Sequence, residues 1–527
     1  MCIRDRFISA PKAFGKADKC FAKKRPFFFA FDYELKNAIF LEEKDFETAR
    51  VKFKVGNFSN YAPRAYFSKI PQIRPKPTSF KSYQKKFDAV KKSILRGDSF
   101  LANLTIKTPI LSEASLGEIF DAAQAKYVLF VPNKFISFSP ETFVKIKGKE
   151  IFSNPMKGTA SLSEKGSADA LKNSGKEICE HNTIVDLIRN DLSFAAAGVR
   201  LKKFRYAEEI KRLGAPNLLQ TSSEICGVLR KKKFSEIIKP MLPAGSISGA
   251  PKIKTIEILE KAEGEKRNFY TGIFGFFDGE NLDSAVAIRF IERENGKLFF
   301  RSGGGITSQS SAKSEYGEVI EKIYVPCEKN IFLETIKLKD GKVFNLEAHH
   351  KRFQKTLDKF YPESGLKFPD LQKAASENPR GLFKIRVLYS DKIEKIEALP
   401  YSQKKISSLK IVNLNDAKYS YKSANRALSD FALSKKGDAS DVIICKNGKV
   451  CDSSYANIVF RKNGKFYTPK TFLLNGTKRQ KLLKEGAIEA RDISISYIRN
   501  YERAVFINSM LDPQDDVGAD VENIIFE

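Results

Sequence analysis

Lys157 stands in the run Pro155-Met156-Lys157-Gly158-Thr159, where a primary amine on a glycine-containing turn could attack an electrophilic substrate. Glu177 and Glu180 follow in a stretch with helical spacing. Carboxylates at i and i+3 share a helix face, and such a face can give a hard cation its oxygen ligands. Ser314-Glu315-Tyr316-Gly317-Glu318 repeats the arrangement with Glu315 and Glu318. Between the two pairs lie Pro243-Ala244-Gly245-Ser246-Ile247-Ser248-Gly249-Ala250-Pro251-Lys252, then Tyr270, Arg289 and Gly303-Gly304-Gly305. Small residues let backbone N–H groups approach an anion closely, and a guanidinium can grip a carboxylate with two parallel bonds. The implied chemistry is attack by an amine on an anionic substrate held beside a divalent cation.

A second set of residues lies further on. Asn345-Leu346-Glu347-Ala348-His349-His350-Lys351-Arg352 reads as a helix start. Tyr421-Lys422-Ser423 opens another helical pattern, and Asp452 follows the hairpin signal Asn447-Gly448. Leu474-Asn475-Gly476-Thr477-Lys478 starts a helix whose free N–H groups could cradle a phosphate. A lysine, an arginine and an acid beside such a cradle are what pyridoxal phosphate requires.

The elements that must position these residues are legible in outline. Residues up to about 75 read as strands, for example Pro26–Tyr33. Phe87, Val90 and Ile94 fall at helical spacing over 80–96, and Gly97-Asp98 stops that helix. A helix is expected over 166–190, strands over 269–301 and a helix over 311–324. The pattern restarts after Pro326, with a strand over 332–338, the turn signal Asp340-Gly341, and a helix over 346–360. The chain therefore divides into an N-terminal strand-rich segment (1–76), a catalytic domain (77–326) and a second domain (329–527).

Composition bounds the partners. The chain has 527 residues and a net charge of +29. Its lysines are spread along the whole length and no nucleic-acid recognition module is visible, so the charge is assigned to solvated faces rather than to nucleic-acid binding. A basic surface also attracts anionic substrates. No apolar run is long enough for a membrane span, and Met1–Arg6 lack the apolar core of a signal peptide. Seven cysteines with no metal-ligand spacing, and only three histidines, point to free thiols in the cytoplasm and to no Cys-His glutaminase centre.

Taken one at a time, these motifs are ordinary turns and solvated helix faces. In this order across 77–326 they resemble the chorismate-utilising enzymes, in particular anthranilate synthase and aminodeoxychorismate synthase component I. The resemblance implies Mg²⁺ held by Glu180 and Glu318 with Glu177 and Glu315 beside them. It implies chorismate contacts at Tyr270, Arg289, Gly303 and Gly305, with Lys252 a further substrate-binding candidate. Lysine at position 157, rather than alanine, is similar to the aminodeoxychorismate synthases, where it is the nucleophile; Thr159 is its catalytic neighbour. Two positions depart from the family: Gln220 stands where histidine is usual, and Leu101 where many ammonia-using members have glutamine.

Residues 329–527 resemble fold-type IV pyridoxal phosphate enzymes, the group of branched-chain aminotransferase and aminodeoxychorismate lyase. Lys422 matches the Schiff-base lysine, Arg352 a phosphate ligand, Gly476-Thr477 the phosphate loop and Ser509 a second phosphate-side turn. Asp452 stands in place of the usual glutamate. Together the two resemblances imply an α+β chain: antiparallel sheets flanked by helices in the first half, and two α/β lobes in the second. They imply synthesis of 4-aminobenzoate from chorismate, with a separate glutamine amidotransferase subunit supplying ammonia and a homodimer through the second domain. The alternatives are an anthranilate synthase fused to an aminotransferase, and a basic nucleic-acid-binding protein with decayed motifs.

Overall fold

The computed structural model describes residues 7–66, 71–161, 175–210, 218–327 and 329–526, and the side chains of Lys157, Thr159, Glu177 and Glu180 lie outside that description. The chain forms two compact units, Met1–Tyr61 with Ile70–Glu328, and Ala62–Lys69 with Lys329–Glu527. The range 1–76 is thus not one piece: residues 62–66 belong to the second unit, because Ala62 and Tyr66 find their apolar partners there.

In the first unit the described strands form two antiparallel sheets of ten and nine strands. Phe27–Phe31 shows how the sequence builds the layers. Successive side chains of a strand point to opposite faces. Phe27, Phe29 and Phe31 enter a core with the helices Ala10–Ala22 and Gly175–Ser193. Phe28 and Ala30 enter a second core with Phe53, Tyr270 and Phe290, between the sheets. All five are fully buried, and each buried phenylalanine contributes about 2–3 kcal/mol. The helix Ala10–Ala22 lies where the sequence predicts strands. Its buried Ala10, Ala13, Phe14, Ala17 and Cys20 do carry helical spacing, but small residues make that signal faint.

Three helices cover the nine-stranded sheet: Phe80–Leu95, Lys252–Glu263 and Ala312–Glu321. Ser79 caps the first by accepting the Ser82 N–H at 3.3 Å. Gly264, at φ 69°, ends the second in a left-handed turn that other residues adopt only at a cost. These helices fix the glycine strand Lys297–Ile306, whose Gly303 and Gly305 pair with Thr105 and Asn103. Lys157 lies in the strand Met156–Ser161, not in the expected turn. Its pairing with Leu218–Leu229 shifts register between Lys157 and Thr159, as an extra residue in one strand of an antiparallel pair does.

The second unit has a four-stranded antiparallel sheet and a nine-stranded mixed sheet among the described residues. The helix Leu346–Phe360 lies on the smaller sheet through Phe353 and Leu357, as the periodicity predicts. Tyr421–Asn425 is not helical; the helix begins only at Ala427. The reason is local, since Leu333 N–H bonds the Lys422 carbonyl at 2.9 Å and Ala424 N–H the Ile331 carbonyl at 2.8 Å, which draws the segment along the sheet edge. No described helix is long and apolar enough to cross a membrane.

Candidate functional site

In the first unit the anion-binding candidates converge around a buried arginine. Arg267 is 2% exposed. Its Nε and Nη2 donate to Glu263 at 2.9 and 2.6 Å, Nη1 to the Ile247 carbonyl at 2.9 Å, and Nη2 also to the Asn103 carbonyl at 2.7 Å. Glu263 in turn accepts the Thr105 N–H at 2.9 Å. One ion pair therefore joins the glycine-rich segment 244–250, the strand Leu101–Leu111 and the helix Lys252–Glu263. The sequence motif takes in Arg267, in the run Arg267–Gly272, without giving it a role, and passes over Glu263, although an acid and an arginine at i and i+4 ahead of Tyr270 are a visible signal.

Tyr270 is buried between the sheets, and burial pushes its hydroxyl well above the ordinary tyrosine range. Arg289 has φ 50°, and its Nε is buried with no hydrogen-bond partner among the described residues. An unsatisfied buried donor is costly, and strained backbone concentrates at ligand sites, so both features agree with the expectation of an anion contact at Arg289. At Gly303 a Cβ would lie 2.9 Å from the Leu104 carbonyl, and at Gly304 it would lie 3.3 Å from Glu315 Oε2. The side-chain-free strand is what lets backbone and acid come together.

Glu315 is buried and Glu318 half-exposed on one helix face. Lys322 bonds Glu318 at 2.7 Å and the Gly303 carbonyl at 2.8 Å. Glu315 and Glu318 are the two described carboxylates among those expected at Mg²⁺, and Glu318 is taken up by Lys322; the partners expected at Glu177 and Glu180 lie outside the described side chains. Lys252, expected at the substrate, is committed elsewhere: its ammonium bonds Asp191 at 2.7 Å and the Met241 carbonyl at 3.1 Å, tying two helices together. Gln220 stands in register with Thr159, and its Oε1 is buried without a partner among the described residues.

The second unit contains a cavity of about 610 Å³ whose lining includes Arg352, Lys422, Asp452, Gly476, Thr477 and Ser509. Each residue expected to hold pyridoxal phosphate is therefore at one cavity. Burial, with Arg352 adding to it, lowers the Lys422 amine to about 8, against a partial opposing pull from Glu334. Arg352 donates to Glu334 through Nε at 2.8 Å and through Nη2. His349 Nδ1 bonds the same carboxylate at 2.6 Å, and its Nε2 lies 3.4 Å from Ser509 Oγ, itself 3.4 Å from Thr477 Oγ1. Burial alone would raise Glu334, but Arg352 and His349 hold it down at about 2. No sequence motif singles out Glu334. Its one signal is position: it occupies the inward phase of a strand whose other inward residues are Phe332, Ile336 and Leu338.

Asp452 is anchored on both oxygens. Oδ2 accepts the Leu473 and Leu474 N–H groups at 2.8 and 2.9 Å, and Oδ1 accepts Asn457 Nδ2 at 2.6 Å. Burial pushes its carboxyl up to about 6 despite those donors. A Cβ at Gly476 would lie 2.2 Å from Asn457 Oδ1, so only glycine fits at the start of the helix Thr477–Lys484. The cradle that the glycine permits, with two hydroxyls, an arginine and a buried amine, fits the phosphate and aldehyde of pyridoxal phosphate. Lys384, Arg386 and Arg426 add positive charge to the cavity lining.

The chain thus has an α+β unit built on two antiparallel sheets and a second unit whose cavity gathers the residues expected at pyridoxal phosphate. Residues 42–328 match the family described as chorismate binding enzyme, and the chain belongs to it. Residues 332–512 match the family described as amino-transferase class IV. Over 328 residues the chain is 42% identical to an uncharacterized PabA-like protein of Haemophilus influenzae, covering 61% of this chain and 97% of that one. It is 31% identical over 264 residues to aminodeoxychorismate synthase component 1 of Bacillus subtilis, covering 47% of this chain and 55% of the relative. A crystal structure from Haemophilus somnus, provisionally named 4-amino-4-deoxychorismate lyase, shares 33% identity over 35% of this chain and 97% of its own, with a TM-score of 0.32.

Proposed function

We propose that this chain makes 4-aminobenzoate from chorismate in two steps, first replacing a ring hydroxyl by an amine and then eliminating pyruvate. The observation that carries the reading is the pairing, in one chain, of a chorismate binding enzyme unit with a cavity that presents Lys422 beside a phosphate cradle. A relative of the first unit is named aminodeoxychorismate synthase, and its product would be an amine of the kind a class IV cofactor site accepts.

In the first step Arg289 and the backbone of Gly303 and Gly305 bind substrate carboxylate, while Tyr270 closes one side. Glu315 and Glu318, with Glu177 and Glu180, would hold Mg²⁺, which would draw a carboxylate oxygen to the site. The Lys157 amine attacks ring C2 and the C4 hydroxyl leaves; ammonia then adds at C4 and the lysine departs. The net change is ammonia in and water out. A separate glutamine amidotransferase subunit supplies the ammonia.

In the second step Arg352, Thr477, Ser509 and the N–H groups at the helix start at Thr477 would hold the cofactor phosphate. Pyridoxal phosphate supplies an electron sink for the carbon that bears the amine. Lys422 has an amine that is substantially neutral near pH 8, which suits it to take the proton from that carbon as pyruvate leaves and the ring becomes aromatic. Asp452, held by Asn457 and the Leu473 and Leu474 N–H groups, is the acid that would meet the cofactor's pyridine nitrogen. The described cysteines are free thiols, which suits a cytoplasmic site of action. Two copies would pair through the second unit.

Incubation of the purified chain with chorismate, Mg²⁺, ammonium and pyridoxal phosphate tests the reading. Formation of 4-aminobenzoate and pyruvate in equal amounts is expected. Anthranilate as the product would place the first half among the anthranilate synthases, and accumulated 4-amino-4-deoxychorismate would remove the lyase assignment.

A further inference from the structure

The Lys422 segment is held by residues from far away in sequence. Tyr66 Oη accepts the Ser420 N–H at 2.8 Å, and Ser423 Oγ donates to the Ala65 carbonyl at 2.8 Å. The two bonds sit on either side of Lys422. The Tyr66 ring lies edge-on to Tyr421 at 5.7 Å, an interplanar angle of 89°, and edge-on to Phe360 at 5.5 Å. Ala62 is buried with Val412, Leu414 and Ala417 on the approach to the same segment. Arg64 Nη1 donates to the Asp416 carbonyl at 2.5 Å. The strand Phe332–Lys339 holds the Lys422 carbonyl from the other side, through Leu333 N–H at 2.9 Å.

We infer that residues 62–66, which in sequence fall within the stretch matching the chorismate binding enzyme family, are a clamp that positions Lys422 for the second reaction, with Tyr66 as the principal positioning residue. The inference rests on the reading of Lys422 as the cofactor-binding lysine. A non-helical segment at a sheet edge has few backbone bonds of its own, and every residue held in one conformation loses entropy. Bonds at positions 420 and 423, with an aromatic wedge on 421, remove that freedom before the cofactor arrives, which is preorganisation in the usual sense. Loosening the clamp would let the Lys422 amine move relative to the charges it faces, Arg352 from the helix Leu346–Phe360, Glu334 and Arg386 from neighbouring strands of the small sheet, and Arg426 from its own segment. The second unit would consequently depend on a stretch within the first sixty-six residues of the chain, so that separating the halves at residue 329 would cost the lyase its clamp.

The test uses the full chain as wild type, Tyr66→Phe, Tyr66→Ala, Ser423→Ala and Lys422→Ala. Each is loaded with pyridoxal phosphate across a pH series, reduced with borohydride, and the modified peptide is found by mass. Modification at Lys422 in the wild type and its loss in Lys422→Ala sustain the underlying reading; modification at another lysine overturns that reading by itself. With Lys422 established, Tyr66→Ala is expected to raise the pH midpoint of cofactor capture by about half a pH unit or more. It should also lower kcat for pyruvate release at least tenfold with KM within twofold, and Tyr66→Phe should fall between it and the wild type. Should Tyr66→Ala not fold, Tyr66→Phe and Ser423→Ala decide. Wild-type midpoints and kcat in both of those variants overturn the clamp.

Discussion

Glu334 Oε2 lies 2.6 Å from Nδ1 of His349, with both side chains wholly buried and Arg352 bonded to the same carboxylate. The carboxylate lies behind the cavity wall, bonded to Arg352, which lines the cavity. It orients Arg352 and fixes the ring of His349, whose Nε2 lies 3.4 Å from Ser509 Oγ. Removing one member of a buried charged pair strands the other and typically costs about 3–5 kcal/mol. Glu334→Leu should therefore destabilise the second unit by that order in urea denaturation and raise the dissociation constant for pyridoxal phosphate at least tenfold. Wild-type affinity in a folded Glu334→Leu protein would remove Glu334 from the cradle.

The buried Lys422 amine makes a pH prediction. In the folded chain it titrates at about 8, below the ordinary lysine value of 10.5. Between those two values the unfolded chain binds the extra proton, so stability rises with pH from about 8 to 10.5. Below about 8 the whole penalty is present, and above 10.5 it is gone. A tenfold difference in proton affinity is worth about 1.4 kcal/mol, so burying this amine costs the folded state on the order of 3 kcal/mol at pH 7. Cofactor-free Lys422→Met should accordingly melt higher than the wild type at pH 7, with the gap closing as the pH approaches 10.5. A gap that is absent at pH 7 would show that the amine is solvated. The same variant should accumulate aminodeoxychorismate, read by chromatography.

Gly476 admits no side chain. Gly476→Ala sets a Cβ against Asn457 Oδ1, and Asn457 in turn holds Asp452 and the Leu474 carbonyl, the latter at 2.8 Å. Adjusting that network should weaken pyridoxal phosphate binding by tenfold or more while 4-amino-4-deoxychorismate formation continues at its normal rate. Equilibrium titration of cofactor absorbance measures the first effect, and a coupled chorismate assay the second. Unchanged cofactor affinity would mean the helix start does not meet the phosphate.

Arg267 offers the equivalent test in the first unit. Arg267→Met leaves Glu263 buried and releases the carbonyls of Asn103 and Ile247. A loss on the order of 3–5 kcal/mol in the unfolding of the first unit is expected. Glu263→Gln strands the buried Arg267 charge in the same way and should cost a comparable amount, with a raised KM for chorismate. Near-wild-type stability in Arg267→Met would show that the pair is dispensable to the fold.

Much of this is legible in the residues alone. Local periodicity places the helices over 80–96 and 346–360, because a helix reports its buried face every three or four residues without reference to the rest of the chain. The cofactor candidates Arg352, Lys422, Asp452, Thr477 and Ser509 follow from motif order, and the structure brings them to one cavity. The helix Ala10–Ala22 escapes the same reading because its buried face is mostly alanine, whose weak hydrophobicity hides the period.

Tertiary structure decided the rest, since partners distant in sequence leave no local trace. Lys252 has the residue type and motif of a substrate contact, yet Asp191, some sixty residues earlier, holds it. Arg267 and Glu334 are unremarked as single charges; only packing shows them buried and paired. The assignment of residues 62–66 to the second unit depends on contacts more than 350 positions apart. Sequence determined which side chains could do the chemistry, because residue type and short spacing set chemical capability. Folding determined which of them are free to do it, because that depends on every other charge and hydrogen bond brought within reach.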